Sequence, residues 1–239
     1  MTLKKERGKN ALNVRGVLID FGYTLAYLNE ENVERYREEL VSILTKYGYN
    51  KTLDDLVPIL DSTYRSSTKG EVKDIHEFWK VLLRNLGIRE RPILIQELIE
   101  LRKNHVLTRF RLYDNVISVL STLRKNYKLA LVSNCFVGLS DILRALNLTH
   151  FFECIILSYE VGVKKPDRRI YLEALQRLKL RPEESVFVSD AISDLEGAKE
   201  IGLNTMLIRQ GEYTTHGAKD PNFKPDFRCK HISEIIDYL

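Results

Sequence analysis

Cysteine is scarce and poorly placed for pairing: Cys135, Cys154 and Cys229 are the only three in 239 residues. An odd number, widely spaced and without a CxxC pair, excludes a disulfide framework and a thiolate metal site, and makes buried free thiols the expected state. Long apolar runs are missing as well. Stretches such as ILIQELI and CIIL fall far short of the roughly 20 residues a membrane helix needs, and the N-terminus lacks the apolar segment of a signal peptide. The expectation is a soluble, cytoplasmic protein with no membrane partner. Neither sign of charge dominates: 37 basic and 33 acidic residues, net +4, are interspersed along the chain. That pattern is a solvated surface, not a nucleic-acid stripe, so no nucleic-acid partner is expected. Only the first fifteen residues, with Lys4, Lys5, Arg7, Lys9 and Arg15, are locally basic, which reads as a frayed tail. Glutamine is confined to Gln96, Gln176 and Gln210 while Lys, Arg and Glu abound, a bias found in thermophile proteins.

What is present is a chain 44% hydrophobic, enough to bury a full core as one large domain or two small ones. Two textures alternate. From Glu30 to about His105 the segments are helical in pattern: Val33, Tyr36, Leu40 and Leu44 share a face, as do Val72, Ile75, Trp79 and Leu82, and Leu94, Leu98 and Leu101. Gly48, Gly70 and Gly87 punctuate the helix ends. After RFRLYDN come short apolar strands separated by amphipathic helices: KLALVS, GLSDILRALN, CIILS, DRRIYLEALQRL, SVFVSD, SDLEGAKEIG and NTMLI. Such alternation means βαβ units and a parallel sheet. GVLID, the first strand, belongs to that sheet, so the helical block is an insertion after it. The fold class is α/β, a doubly wound parallel sheet with an inserted helical unit, and ligands of such sheets bind beyond the carboxyl ends of the strands.

At those ends stand Asp20 after GVLI, Ser133 closing KLALVS, Lys165 in the loop after CIILSYE, and Asp190 closing SVFVS with Asp194 four residues on. Clustered carboxylates stay ionised only if a cation joins them, and an all-oxygen set suits Mg²⁺. Ser133 and Lys165 can hold phosphate oxygens, and one Asp can attack phosphorus. Simpler readings stand beside these. The sequence SDLE, Ser193 to Glu196, fits a capping box, so helix-dipole stabilisation alone explains Asp194. Asp167 reads as the N-cap of the next helix.

Four stretches, LIDFGYTL, LALVSN, SYEVGVKKPDRRIYLEAL and VFVSDAISDLEGAKEIG, resemble motifs one to four of the haloacid dehalogenase superfamily of hydrolases. The resemblance implies a Rossmann-like core over residues 1–26 and 109–239 and a helical cap over 27–108. It implies a Mg²⁺-dependent phosphatase of a small phosphorylated substrate, acting through an aspartyl-phosphate. Asp20 would be nucleophile and metal ligand, with the Gly22 main-chain carbonyl, Asp190 and Asp194 completing the metal site. Ser133 would bind the phosphate, Lys165 would neutralise nucleophile and transferring group, Thr24 would support the loop, and Asn134 would lie near the substrate.

The chain departs from that pattern at Gly22, where phosphatases of the family carry an Asp as general acid and base. Such proton transfer is worth about 10² to 10⁴ in rate. A slow phosphatase, or one preferring good leaving groups, is the first consequence. Substitute acids are Tyr23, Tyr27, His76 and His105, for each of which packing or surface exposure is the simpler reading. A dehalogenase in the narrow sense would have Asp-x-Tyr-Gly-Thr and lack Asp190. A phosphonate hydrolase would need a cap lysine that no motif marks. A non-catalytic module binding a phosphorylated ligand or a protein is the third alternative, though loss of one acid has spared the other five groups. Ser189 replaces the Gly usual before Asp190, and Arg168 a common Pro.

Overall fold

A computed structural model describes residues 12–105, 108–210 and 222–239. Lys4, Lys5, Arg7 and Lys9 lie outside the described residues. Among the described residues eight strands form in chain order: β1 Gly16–Ile19, β2 Ala26–Leu28, β3 Phe110–Leu112, β4 Lys128–Ser133, β5 Cys154–Leu157, β6 Ser185–Ser189, β7 Asn204–Ile208 and β8 Phe227–Cys229. Six make one parallel sheet in the order β5-β4-β1-β6-β7-β8. Its residues read as unbroken apolar runs because both faces are covered. Val17 and Ile19 enter the apolar cluster on one face, with helices α5 (Val116–Leu123) and α6 (Leu139–Ala145); Leu18 enters the other, with α8 (Arg168–Leu178) and α9 (Ile192–Lys199).

Between β2 and β3 lie α1 (Glu30–Lys46), α2 (Leu53–Thr68), α3 (Ile75–Leu86) and α4 (Pro92–His105), which bury an apolar cluster of their own. Local signals set their limits. Thr52 and Asp55 form a reciprocal capping box at the start of α2, the Asp74 carboxylate accepts from the Glu77 N–H at the start of α3, and Gly87 ends α3 with a left-handed residue. Leu40, Leu56, Phe78, Trp79, Leu82, Leu94 and Leu98 meet at the centre, all without solvent exposure. Val72 is buried in the turn preceding α3.

Three elements were not legible as strands. β2 and β3 pair antiparallel, Leu28 opposite Phe110, and make a ribbon through which both connections to the helical unit run. β8 closes the sheet edge beside β7. Two short helices, α7 (Ser158–Val161) after β5 and α10 (Ile235–Tyr238) at the C-terminus, complete the elements. The capping box expected at Ser193 to Glu196 is absent: α9 begins at Ile192, its N-cap is Ala191, and no side chain caps it. Ser189 Oγ instead accepts from the Ala191 N–H at 3.1 Å, because the chain turns into the helix straight from the strand. Asp167 does cap α8, accepting from the Arg169 N–H at 2.9 Å. The cysteines are free; Cys135 and Cys229 are buried, whereas Cys154 is only half-buried. No described helix is long and apolar enough to cross a membrane.

One close approach sets the distance between α9 and the loop after β5. A Cβ on Gly197 would fall 2.3 Å from the Pro166 carbonyl oxygen and 2.7 Å from its Cβ. Neither group is the free end of a flexible side chain, so only glycine lets the helix lie against the residue that follows Lys165. Gly197→Ala is expected to cost about 1–3 kcal/mol of stability by overpacking, read as a lower denaturant midpoint; an unchanged midpoint would show that the loop gives way freely.

Candidate active site

The register of the sheet delivers the strand ends to one rim. Ile19 pairs with Leu131 of β4 and with Val188 of β6, and the Asp20 N–H continues the ladder to the Val188 carbonyl at 3.0 Å. Asp20 therefore stands over the middle of the sheet, where the strand order reverses and a crevice opens. Ser133 ends the neighbouring strand on one side, 2% exposed, and Ser189 and Asp190 end the neighbour on the other.

Lys165 reaches this point from the loop after β5. Its Nζ lies 2.8 Å from Asp20 Oδ1 and 2.9 Å from Asp194 Oδ2, and its side chain is wholly buried. The Phe21 N–H donates to the same Asp20 Oδ1 at 2.7 Å. Asn134 grips the lysine from behind: its Nδ2 donates to the Lys165 carbonyl at 2.9 Å and its Oδ1 accepts from the Lys165 N–H at 2.7 Å. Under the ammonium lies the Phe187 ring, 5.2 Å from Nζ to centroid. Tyr171 packs edge-on against that ring, and its hydroxyl donates to the Asp194 main-chain carbonyl at 2.7 Å.

The other carboxylate is held by motif one. Thr24 Oγ1 accepts from the Asp190 N–H at 3.1 Å and lies 3.4 Å from Asp190 Oδ1, to which it donates. The Thr24 carbonyl in turn accepts from Gln210 Nε2, and Gln210 Oε1 accepts from the Ile232 N–H at 3.0 Å. Ser189 Oγ donates to Asp20 Oδ2 at 3.4 Å. Gly22 does not take the left-handed conformation that would require a glycine, and a Cβ there would meet nothing within 4 Å. The positive φ of the turn, 52°, falls on Tyr23 instead.

These placements settle the charges. Burial pushes the Asp20 carboxyl up, further than Lys165 draws it down. Burial works against the Lys165 ammonium too, but Asp194 and Asp20 outweigh it and raise its pKa. Asp190 is pushed up to about 7, by burial first and by the Asp20 charge second. One ammonium, Lys165, faces three carboxylates, Asp20, Asp190 and Asp194, so the group is short of positive charge. An oxygen-ligated divalent cation corrects that deficit, so the donor chemistry fits Mg²⁺ on Asp20, Asp190 and the Gly22 carbonyl. The Asp194 carboxylate belongs to Lys165 in this arrangement, and among the described residues no three His, Cys, Asp or Glu side chains are clustered as ready metal ligands.

The side chains named as substitute acids are dispersed. Tyr27 packs on Tyr113, ring centroids 4.9 Å apart, in the ribbon; His105 Nε2 lies 3.0 Å from Glu39 Oε2; His76 sits on α3 in the helical unit. Three supporting residues escaped the sequence reading. Tyr171 and Phe187 are hidden in apolar stripes, and Gln210 follows a strand with no pattern around it.

A family model described as "haloacid dehalogenase-like hydrolase" matches residues 43–208. The chain belongs to this family. The matched stretch takes in the ends of β4 and β6 and the Lys165 loop but begins beyond Asp20. A glyceraldehyde 3-phosphate phosphatase from Methanopyrus kandleri is 29% identical over 232 residues, covering 95% of this chain and 97% of that one. Among solved structures, a 2-haloacid dehalogenase from Pseudomonas syringae superposes with a TM-score of 0.75 at 22% identity, covering 95% and 98% of the two chains. A haloacid dehalogenase family enzyme from Bacteroides thetaiotaomicron, in complex with magnesium and inorganic phosphate, gives 0.59 at 20% identity over 87% and 97%. The two likenesses establish the hydrolase fold: a Rossmann-like core with helices inserted after its first strand.

Mg²⁺ at a hundredfold excess over its Kd is expected to stabilise the hydrolase by about 2.7 kcal/mol, a melting temperature rise of roughly 5–11 °C for a chain of this size. Asp190→Asn should remove most of that rise in a thermal melt with and without Mg²⁺. An equal rise in the variant would take Asp190 out of the metal site.

Proposed function

We propose that this hydrolase is a Mg²⁺-dependent phosphatase of small phosphorylated metabolites in which Asp20 is the nucleophile. The observation that carries the reading is the pair of contacts at Lys165, which set a buried ammonium against Asp20 and hold its carboxylate at the rim where Ser133 and Asp190 also end. The relatives named for glyceraldehyde 3-phosphate hydrolysis make a three-carbon phosphate ester the first substrate to try.

An Asp20 oxygen attacks phosphorus, the ester oxygen departs with its electron pair, and water then cleaves the aspartyl-phosphate to release inorganic phosphate and restore the carboxylate. Mg²⁺, when bound, would draw charge from the phosphoryl oxygens and lower the repulsion between phosphate and carboxylate. Lys165 offsets the charge that builds on Asp20 and the transferring group, and the Ser133 hydroxyl donates to a phosphate oxygen. Thr24 keeps Asp190 in place. The helical unit of α1 to α4 acts as a cap that covers the rim, excludes water and reads the substrate. Residues 27–108 form that cap, and 1–26 with 109–239 the catalytic core. Asp190 counts against a metal-independent dehalogenase.

Gly22 leaves the departing alkoxide without a proton donor at the usual position. Asp20→Asn should abolish turnover of phosphate esters in the presence of Mg²⁺; retained turnover would sink the assigned nucleophile. Gly22→Asp fits the open space and the ordinary backbone at that position, and should raise kcat on alkyl phosphates by up to about 10² while leaving acyl phosphates nearly unaffected. Equal effects on both ester classes would mean that proton transfer does not limit the rate.

A further inference from the structure

Two arginines and two tyrosines gather where helices α1, α2 and α4 approach the start of β3. The Arg109 guanidinium lies 5.1 Å from the Tyr64 ring centroid, 5.6 Å from that of Tyr36 and 4.8 Å from that of Phe136. Its NH1 donates to the Tyr64 hydroxyl at 3.0 Å, and its Nε is covered by protein without a partner. Arg102, 7% exposed, stands 5.6 Å from the Phe136 ring and donates through NH2 to a neutral partner, the Val137 carbonyl, at 3.0 Å. The Tyr36 hydroxyl is buried as well, and turns toward the Tyr64 oxygen without completing a bond of good geometry.

What the cluster lacks is negative charge. Among the described residues neither guanidinium has a carboxylate within ion-pair distance. Glu39 of α1 is engaged by His105, 3.0 Å from Nε2, and the His105 ring meets Tyr36 edge-on at 5.6 Å. Asp61, a turn before Tyr64 on α2, is exposed and attracts Arg109 from beyond that distance. On the other sides Phe78 of α3 and Phe136 of the loop after β4 face Tyr64 with uncharged rings, 4.8 and 5.0 Å between centroids. A guanidinium held in protein is unfavourable without a compensating charge, and the two tyrosine hydroxyls are the groups at this spot that can become negative. Tyr64 is the one that receives a charged donor. Burial resists its ionisation, but Arg109, Arg102 and the Tyr36 hydroxyl outweigh burial and draw the phenol below its ordinary value. Burial and the Tyr64 charge push Tyr36 the other way. One ionised and one neutral hydroxyl is the pattern expected of two acids in contact.

We infer that Tyr64 is the anion of this cluster: its oxygen gives up the phenolic proton to solvent, pairs as a phenolate with Arg109, and accepts from the neutral Tyr36 hydroxyl. The pair ties α2 of the helical unit to the residue that precedes β3, and its hold tightens as pH rises. By linkage, an acid whose pKa is lower in the folded than in the unfolded chain adds stability that is complete above the unfolded value and is lost as pH falls through the folded one. None of this depends on what the rim hydrolyses.

The test is a pH titration by NMR of protein carrying carbon-13 at tyrosine Cζ, where phenol and phenolate differ in chemical shift. Of the twelve tyrosines, one should reach the phenolate position at lower pH than the rest, and Tyr64→Phe should remove that resonance. Arg109→Met should return it to the range of the others, and Arg109→Lys, which keeps the charge without the guanidinium fork, should leave it between the two. In thermal melts the deficit of Tyr64→Phe relative to wild type should widen from neutral pH toward about pH 10, the value of an unfolded tyrosine. If Arg109→Met fails to fold, Arg102→Met, which removes the second cation, takes its place beside Tyr64→Phe. Twelve resonances that titrate together overturn the inference. So does an early resonance that survives Tyr64→Phe, one unmoved by the folded variants at Arg109 and Arg102, or a melting deficit that stays constant with pH.

Discussion

A lysine ammonium with no solvent exposure, held between two carboxylates, governs most of what surrounds it. Removing a charge from water costs several kcal/mol even after relaxation, and the cost is met only when the partners are close and otherwise satisfied. Lys165 meets that condition with Asp20 at 2.8 Å and Asp194 at 2.9 Å. Each neighbour then has an assignable task. Asn134 holds the lysine main chain through both its N–H and its carbonyl, Phe187 offers a ring face below the ammonium, and Tyr171 ties down the backbone of Asp194. Gly197 lets α9, which carries Asp194, come within reach of the loop that carries Lys165. Loss of either carboxylate would leave the buried ammonium a single partner, so stability and the orientation of Asp20 rest on the same contacts.

The second constraint is the join between the helical unit and the rim. Two parts of it bear on the site. The ribbon of β2 and β3 carries the chain out and back, and the Asn29 N–H donates to the Arg109 carbonyl at 3.0 Å where the two connections cross. The loop after β4 is the other. Val137 belongs to the apolar cluster of the helices, while its N–H donates to Ser67 Oγ at 3.4 Å and its carbonyl accepts from Arg102. A segment that starts at Ser133 and Asn134 in the site thus ends inside the helical unit four residues on.

Much of this was legible because it depends on chain periodicity and on residues that stop strands. Apolar runs of four to six residues alternating with amphipathic helices require a parallel sheet, and its register requires that Asp20, Ser133 and Asp190 end together. Asn134 was placed near the substrate, and its bonds to Lys165 show it bracing the loop. Tyr171, Phe187 and Gln210 stayed hidden because their work is done across distances of sequence that no local pattern spans. β2 and β8, three residues each, are too short to show a period. The capping box at Ser193 failed for a physical reason: the chain passes from β6 into α9 in two residues, and the oxygen of Ser189 is already in place to accept from Ala191.

Gly22 is best understood against its neighbours. Were the glycine there to allow a turn, it would carry the positive φ, but Tyr23 carries it, at a cost that a glycine in that place would avoid. Nor is the glycine needed for close packing, since nothing lies within 4 Å of where its Cβ would be. Backbone and sterics both permit an aspartate, so neither conformation nor packing accounts for the glycine. A site without an acid beside the leaving oxygen acts best on esters whose leaving group is already stabilised, or whose far end is held so well that alignment compensates for slow protonation.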